Sequence, residues 1–164
     1  VLLLPEMPAL LAATLRRHGA RRGRLLLALT ATEAILDPSR LRRALRRLQR
    51  MGVPVLLDDV TLGDHRWQLA GQPFAGLKLD RSLIEALPHQ MRARHFLRCI
   101  LRDSHAKGRY VIAEGVSNSL LRRTARGLGV DFAQGNLLGL PAPPRINRGG
   151  QTRLSPAKRG GRAP

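Results

Sequence analysis

Cysteine, aromatic residues and acidic groups are all scarce in this 164-residue chain. Cys99 is the single cysteine, so no internal disulfide can form, and a reducing compartment, the cytoplasm, is the natural setting. Its neighbours in Phe96-Leu97-Arg98-Cys99-Ile100-Leu101 suggest a small buried hydrophobe rather than a reactive thiol. No Cys/His spacing suits zinc, and His18, His65, His89, His95 and His105 follow no ligand pattern. Aromatics make up only 3% of the chain, so a core must be built from Leu, Ala, Val and Ile. Long apolar runs are missing too. The opening Val1-Leu2-Leu3-Leu4-Pro5-Glu6 has no basic segment before it and is too short to cross a membrane. With Val where an initiator Met would stand, Val1 reads as the edge of a fragment or of a truncated gene product.

Hydrophobic residues account for 43% of the chain, enough for one packed domain of this length. The formal net charge is +18, from 29 basic and 11 acidic residues, and only Lys78, Lys107 and Lys158 among the bases are lysine. Such a balance points toward a polyanion such as nucleic acid or an anionic membrane. The arginines are, however, dispersed over several helices and the C-terminal segment, which favours solvated helix faces over a nucleic-acid groove.

Short apolar runs alternate with stretches of helical period. Strands are expected at Val1–Leu4, Arg24–Thr30, Val53–Leu57, Gly76–Leu79, Tyr110–Ala113 and Val130–Ala133. Helices are expected near Met7–Arg17, Ser39–Met51, Arg81–Leu87, Gln90–Ala106 and Asn118–Leu128. The second helix has the plainest signals. Asp37 suits the N-cap, Pro38 the first helical position and Gly52 the left-handed stop. Leu41, Ala44, Leu45 and Leu48 form one apolar stripe and arginines fill the rest. In the last helix Leu120, Leu121, Ala125 and Leu128 should face inward. The alternation predicts an α/β fold of mainly parallel strands, open or closed into a barrel, over residues 1–144. Residues 145–164 are rich in Gly, Pro and Arg and read as a disordered basic tail.

Polar residues recur at the ends of the predicted strands. Leu57 leads into Asp58-Asp59, Lys78-Leu79 into Asp80, Ala113 into Glu114-Gly115, and Ala133 into Gln134-Gly135. In a parallel (β/α) barrel these C-terminal ends share one rim, where that architecture places its chemistry. Carboxylates there can coordinate hard divalent cations, and a Lys can neutralise a phosphate. Each residue also has a plainer reading: Asp59 as a helix cap, Lys78 and Asp80 as a local ion pair, Glu114-Gly115 as a turn.

Four segments taken together resemble the EAL domain family of cyclic di-GMP phosphodiesterases. Gly52–Asp59 is similar to the segment ending in the family's D-D-F-G-T-G loop, and Gly76–Ser82 to its K-I-D-R-S segment. Val111–Val116 is similar to A-E-G-V-E, and Gln134-Gly135 to the closing Q-G. The resemblance spans about Val1 to Pro144 and implies a partial TIM-type barrel with about six of eight strand–helix units. It implies hydrolysis of cyclic di-GMP with two Mg²⁺ or Mn²⁺ ions in active members. By position, Asp58 and Asp59 would be metal ligands, Lys78 and Glu114 catalytic, and Asp80 and Gln134 substrate-binding, with Asp80 supporting the metal site.

The chain departs from that pattern at several ligands. Leu2 aligns with the metal-binding Asn of N-L-S, Ala28 with the Glu of E-x-T-E, and Ser117 with the last Glu of A-E-G-V-E. Rescuing that Glu with Glu33 requires a gap before Pro38. The E-A-L signature itself would precede Val1, and the loop after Asp59 is one residue short. A two-metal centre is therefore not expected, with the remaining aspartates holding a cation weakly at most. The implied function is a catalytically inactive signalling module that binds cyclic di-GMP or a protein partner. The alternatives are a phosphodiesterase completed by upstream sequence, an Arg-rich nucleic-acid binder on a decayed enzyme scaffold, and a decaying gene fragment without a role. With six strands rather than eight, both sheet edges would expose backbone unless a homodimer or further sequence covers them.

Overall fold

The structure, a computed structural model, describes residues 6–18, 25–30, 37–64, 69 and 71–141. Its centre is a five-stranded sheet in the order β1-β2-β3-β4-β5, with every neighbouring pair parallel. The strands are β1 (Leu27–Thr30), β2 (Val55–Val60), β3 (Gly76–Leu79), β4 (Tyr110–Ala113) and β5 (Phe132–Ala133). The helices are α1 (Met7–Arg17), α2 (Pro38–Arg50), α3 (Arg81–Ala86), α4 (Met91–Ala106) and α5 (Ser119–Leu128). Each strand lies beside the next in the chain and the order never reverses. That is the progression of a (β/α) barrel wall rather than of a doubly wound sheet.

Local chemistry explains the helix limits. The Asp37 carboxylate accepts from the backbone N–H groups of Ser39 and Arg40, both at 2.9 Å, which starts α2 where Pro38 fits the first turn. Gly52, at φ +76°, follows the helix end as expected. Leu41, Leu45 and Leu48 of α2 are buried against the sheet, and Ala44 lies at the border of that stripe. Asn118 caps α5 by accepting from the Leu121 N–H at 3.0 Å.

The strand register sorts the two faces of the sheet. Leu29, Leu57, Leu77 and Val111 lie in one row and pack toward the helices, joined in the core by Leu97 and Ile100 of α4. Their neighbours Ala28, Leu56, Gly76 and Tyr110 form the row on the opposite face. There Tyr110 meets Phe132 edge-on, with ring centroids 5.5 Å apart.

Several sequence expectations are corrected. The strand expected to end at Leu57 begins two residues later and continues to Val60, so both aspartates lie inside β2. Val60 is fully buried beside Leu79, and that burial carries the strand past two charged residues. The last strand is only Phe132–Ala133, and β1 is shorter than Arg24–Thr30 among the described residues. Leu120 is 45% exposed because it sits about 100° around α5 from Leu121, off the buried stripe. Cys99 is half-exposed rather than buried, for the same reason. It lies off the buried stripe of Ala93 and Leu97 on α4, lining an apolar cavity with Leu62, Phe96 and Ile100, with Sγ 3.7 Å from His95 Nε2. The strand expected at Val1–Leu4 and the tail over 145–164 lie outside the described residues.

Candidate functional site

The register between β2 and β3 contains the feature that builds the site. Leu57 pairs with Leu77, and the next pair is Val60 with Leu79, so β2 carries one residue more than β3 over this step. That is a β-bulge. Asp59 sits in it at φ +55°, the single non-glycine residue with positive φ among the described residues. A left-handed aspartate costs roughly 1–3 kcal/mol that the surrounding fold must offset. The strain has a structural result. In a regular strand, adjacent side chains point to opposite faces, so Asp58 and Asp59 could not converge. Across the bulge they do: one oxygen each from Asp58, Asp59 and Glu114 lies within 4.8 Å of the others. Asp58 also accepts from the Asp59 N–H at 3.0 Å, which fixes the turn of the backbone.

Lys78 comes to the same place from β3. Its Nζ lies 2.9 Å and 3.1 Å from the two carboxylate oxygens of Asp58 and 2.7 Å from Glu114 Oε1. The three side chains are only 12–21% exposed, so these ion pairs are sheltered from solvent. Burial alone pulls the Lys78 ammonium toward neutrality. The hydrogen bonds to Glu114 and Asp58, and their negative charge, outweigh it and raise its pKa above the ordinary lysine value. The local pairing read from sequence, Lys78 with Asp80, is thus replaced by two pairings across strands.

Asp80 and Gln134 stand differently. The Asp80 carboxylate caps α3, accepting from the backbone N–H of Ser82 at 2.9 Å and from the Ser82 hydroxyl. Those donors, the Ser82 hydroxyl foremost, outweigh burial and lower its pKa. Gln134 is exposed at the end of β5; its N–H donates to Ala113 O at 2.8 Å and its carbonyl accepts from Val116 N–H at 3.0 Å. Gln134 therefore follows β5 at the same end of the sheet at which Glu114 follows β4. Two glycines hold this rim together. A Cβ at Gly115 (φ +68°) would lie 2.4 Å from Arg81 Cγ, and one at Gly135 would lie 2.4 Å from both Val116 N and O.

The carboxylate trio fits one hard divalent cation, since oxygen ligands at roughly 2.0–2.6 Å from an ion lie at most about 5 Å from one another. It is the only such group among the described residues. The neighbouring strand adds nothing of that kind. Thr30 is the partner of Asp58 and Ala28 that of Leu56, so β1 brings a neutral hydroxyl and a methyl group to this side. Leu2 and Glu33 lie outside the described residues. Ser117 is exposed just beyond Val116. Among the described residues no second carboxylate cluster stands beside this one.

A parallel (β/α)-barrel wall with carboxylates and a lysine gathered at the strand ends defines the general class. The chain belongs to the EAL domain family, whose model matches residues 2–141. It is 31% identical over 140 residues to an uncharacterized signaling protein of Caulobacter vibrioides, covering 85% of this chain and 17% of that one. It is 30% identical over 130 residues to the bifunctional diguanylate cyclase/cyclic di-GMP phosphodiesterase MucR of Pseudomonas aeruginosa, covering 79% of this chain and 19% of MucR. Against the MucR phosphodiesterase solved in complex with c-di-GMP, the TM-score is 0.77 at 26% identity, over 87% of this chain and 58% of that one. The EAL domain of Mycobacterium smegmatis DcpA gives 0.73 at 27% identity, over 84% of this chain and 62% of that one. The chain therefore spans about a fifth of the length of the curated relatives named here. The expected α/β, TIM-type architecture and the membership of a cyclic di-GMP signalling family are both borne out. Among the described residues no helix is long and apolar enough to cross a membrane.

Proposed function

We propose that this chain is a cyclic di-GMP-binding EAL module of the cytoplasm that does not hydrolyse the nucleotide. The observation that carries the reading is the occupation of the carboxylate cluster by Lys78, beside a first strand that offers no carboxylate. Phosphodiester hydrolysis by in-line displacement is served by two cations, one on the attacking and one on the leaving oxygen. Asp58, Asp59 and Glu114 fit one cation at most, and Lys78 competes with it for two of the three carboxylates. Such a cation would supply charge to a bound phosphate. The chain's own residues have other tasks: Lys78 bridges Asp58 and Glu114 and can turn its ammonium to a phosphate oxygen, and Gln134 offers an amide to a guanine edge. Asp80, which caps α3 through one carboxylate oxygen, supports the rim and the substrate from beneath.

Calorimetric titration with cyclic di-GMP, with and without Mn²⁺, combined with chromatography of the products, tests this. Binding that weakens in Gln134→Ala at moderate salt, with no linear dinucleotide formed, is the expected result. Metal-dependent linear dinucleotide that disappears in Lys78→Ala would show the phosphodiesterase reading to be the right one.

A further inference from the structure

A second surface stands apart from the rim. Helix α2 carries Arg40, Arg42, Arg43, Arg46, Arg47 and Arg50, all exposed, and no acidic residue within Pro38–Arg50. At 100° per residue these six guanidinium groups fall on one arc of about 160°, diametrically opposite Leu41, Leu45 and Leu48. From Arg40 to Arg50 the arc runs about 15 Å along the helix axis.

Helix α5 carries Arg122, Arg123 and Arg126 without an acidic residue, half as many as α2, whereas α3 and α4 pair their charges. On α3, Arg81 pairs with Glu85 at 2.6 Å; on α4, Asp103 pairs with Lys107 at 2.5 Å, each one turn apart. On α2 the positions one turn apart, Arg42 and Arg46, Arg43 and Arg47, Arg46 and Arg50, are like-charged and destabilise the helix. Arg40, in the first turn, also sits near the positive end of the helix dipole, where cations are disfavoured, although the Asp37 carboxylate at the N-cap attracts it and Arg43. Arg47 and Arg50, at the opposite end, are favourably placed for the helix. Arg42 donates to Gln72 Oε1 at 3.1 Å and Asp37 attracts Arg43 through space, but among the described residues no ion pair joins Arg43, Arg46, Arg47 or Arg50 to a carboxylate. Four cations are thus held on a rigid helix against local repulsion.

We propose that this face of α2 docks on the phosphodiester backbone of a double-stranded nucleic acid. Charge complementarity selects a polyanion, and guanidinium groups suit phosphate oxygens through paired donors. An anionic bilayer fits less well. Surface helices that lie in a membrane insert an apolar face, whereas the apolar face of α2 is buried in the core and none of its large apolar residues is exposed. A single strand fits less well for a similar reason: no aromatic residue stands on α2 for bases to stack on.

The test measures fluorescence anisotropy of a labelled 20-base-pair DNA duplex, and of the RNA duplex of the same sequence, against the full chain over a series of salt concentrations. The quadruple variant R43Q/R46Q/R47Q/R50Q should bind at least about tenfold more weakly at 0.1 M salt. Its slope of log K against log salt should be shallower by about 3.6, at about 0.9 per lost phosphate contact. Arg159→Gln with Arg162→Gln reports the share of the C-terminal arginines and should leave that difference in place. Whichever duplex binds more tightly names the source of the backbone. Cyclic di-GMP titration of the quadruple variant should match the unaltered chain, which separates this surface from the rim. An unchanged slope in the quadruple variant, or binding to phosphatidylserine vesicles without binding to either duplex, overturns the proposal.

Discussion

Replacing Lys78 with Met would remove the positive charge that bridges Asp58 and Glu114 while keeping most of the length of the side chain. Three carboxylates would then face one another within 4.8 Å in a setting with little solvent. Lys78 makes charge-assisted contacts to two of them, each worth about 1.5–3 kcal/mol in a sheltered site. Partial access to water returns some of that, so the expected net loss is about 2–4 kcal/mol. For a chain of this size the melting temperature should fall by about 5–12 °C. The pH dependence follows from the direction of the Lys78 shift. Its pKa is raised in the folded state, so its contribution is complete below the ordinary value of 10.5 and fades as pH rises through the higher folded value. The difference between the two proteins should accordingly be flat through the neutral range and shrink only in strong alkali. Mn²⁺ should raise the melting temperature of Lys78→Met more than that of the unaltered chain, because the ammonium no longer competes for Asp58 and Glu114. Calorimetric melting with and without Mn²⁺ reads both effects. A loss below about 0.5 kcal/mol would refute the account, and so would a Lys78→Met protein made still less stable by Glu114→Gln, since removing a repelling carboxylate should help it.

Gly135→Ala should cost about 2 kcal/mol or more in urea unfolding, because its Cβ would meet the Val116 backbone at 2.4 Å with no side chain able to yield. A stability within 0.5 kcal/mol of the unaltered chain, roughly the scatter of surface substitutions, would show that the loop after β5 can shift freely. Asp80→Ala should lose about 1 kcal/mol, the usual worth of an N-cap. The Asp80 pKa is lowered, so that contribution is present above the ordinary carboxylate value and is lost as pH falls through the lower folded one. Acid titration of the two proteins by circular dichroism should show their stabilities converging at low pH, and a gap that persists there would exclude the capping role.

Much of the architecture was readable from residue order. The limits of β3 and β4 match the expected strands, and α2 begins at the cap that Asp37 and Pro38 announce. These are local effects: a cap, a left-handed glycine and an apolar period are decided by residues within a turn or two of each other. The positions of Leu120 and Cys99 were misjudged for the complementary reason. Apolar or small residues next to a stripe look inward in sequence, and only the packed helix shows which 100° step leaves the core.

The rim divides along the same line. The types and order of Asp58, Asp59, Lys78, Glu114 and Gln134, set after apolar runs, indicated by themselves that polar groups collect at the ends of parallel strands. That Ala28 brings no carboxylate was equally legible, since an identity needs no geometry. Tertiary structure alone decided which of these groups meet. A strand alternates its side chains, so adjacent aspartates converge only if the backbone leaves regular register, and the bulge at Asp59 is fixed by Val60 being buried beside Leu79. Lys78 chooses Asp58 and Glu114 over the nearby Asp80 because β3 lies between β2 and β4, while Asp80 is already engaged at the start of α3. Sequence could supply the charges; their pairing waited on the neighbours that the sheet put beside them.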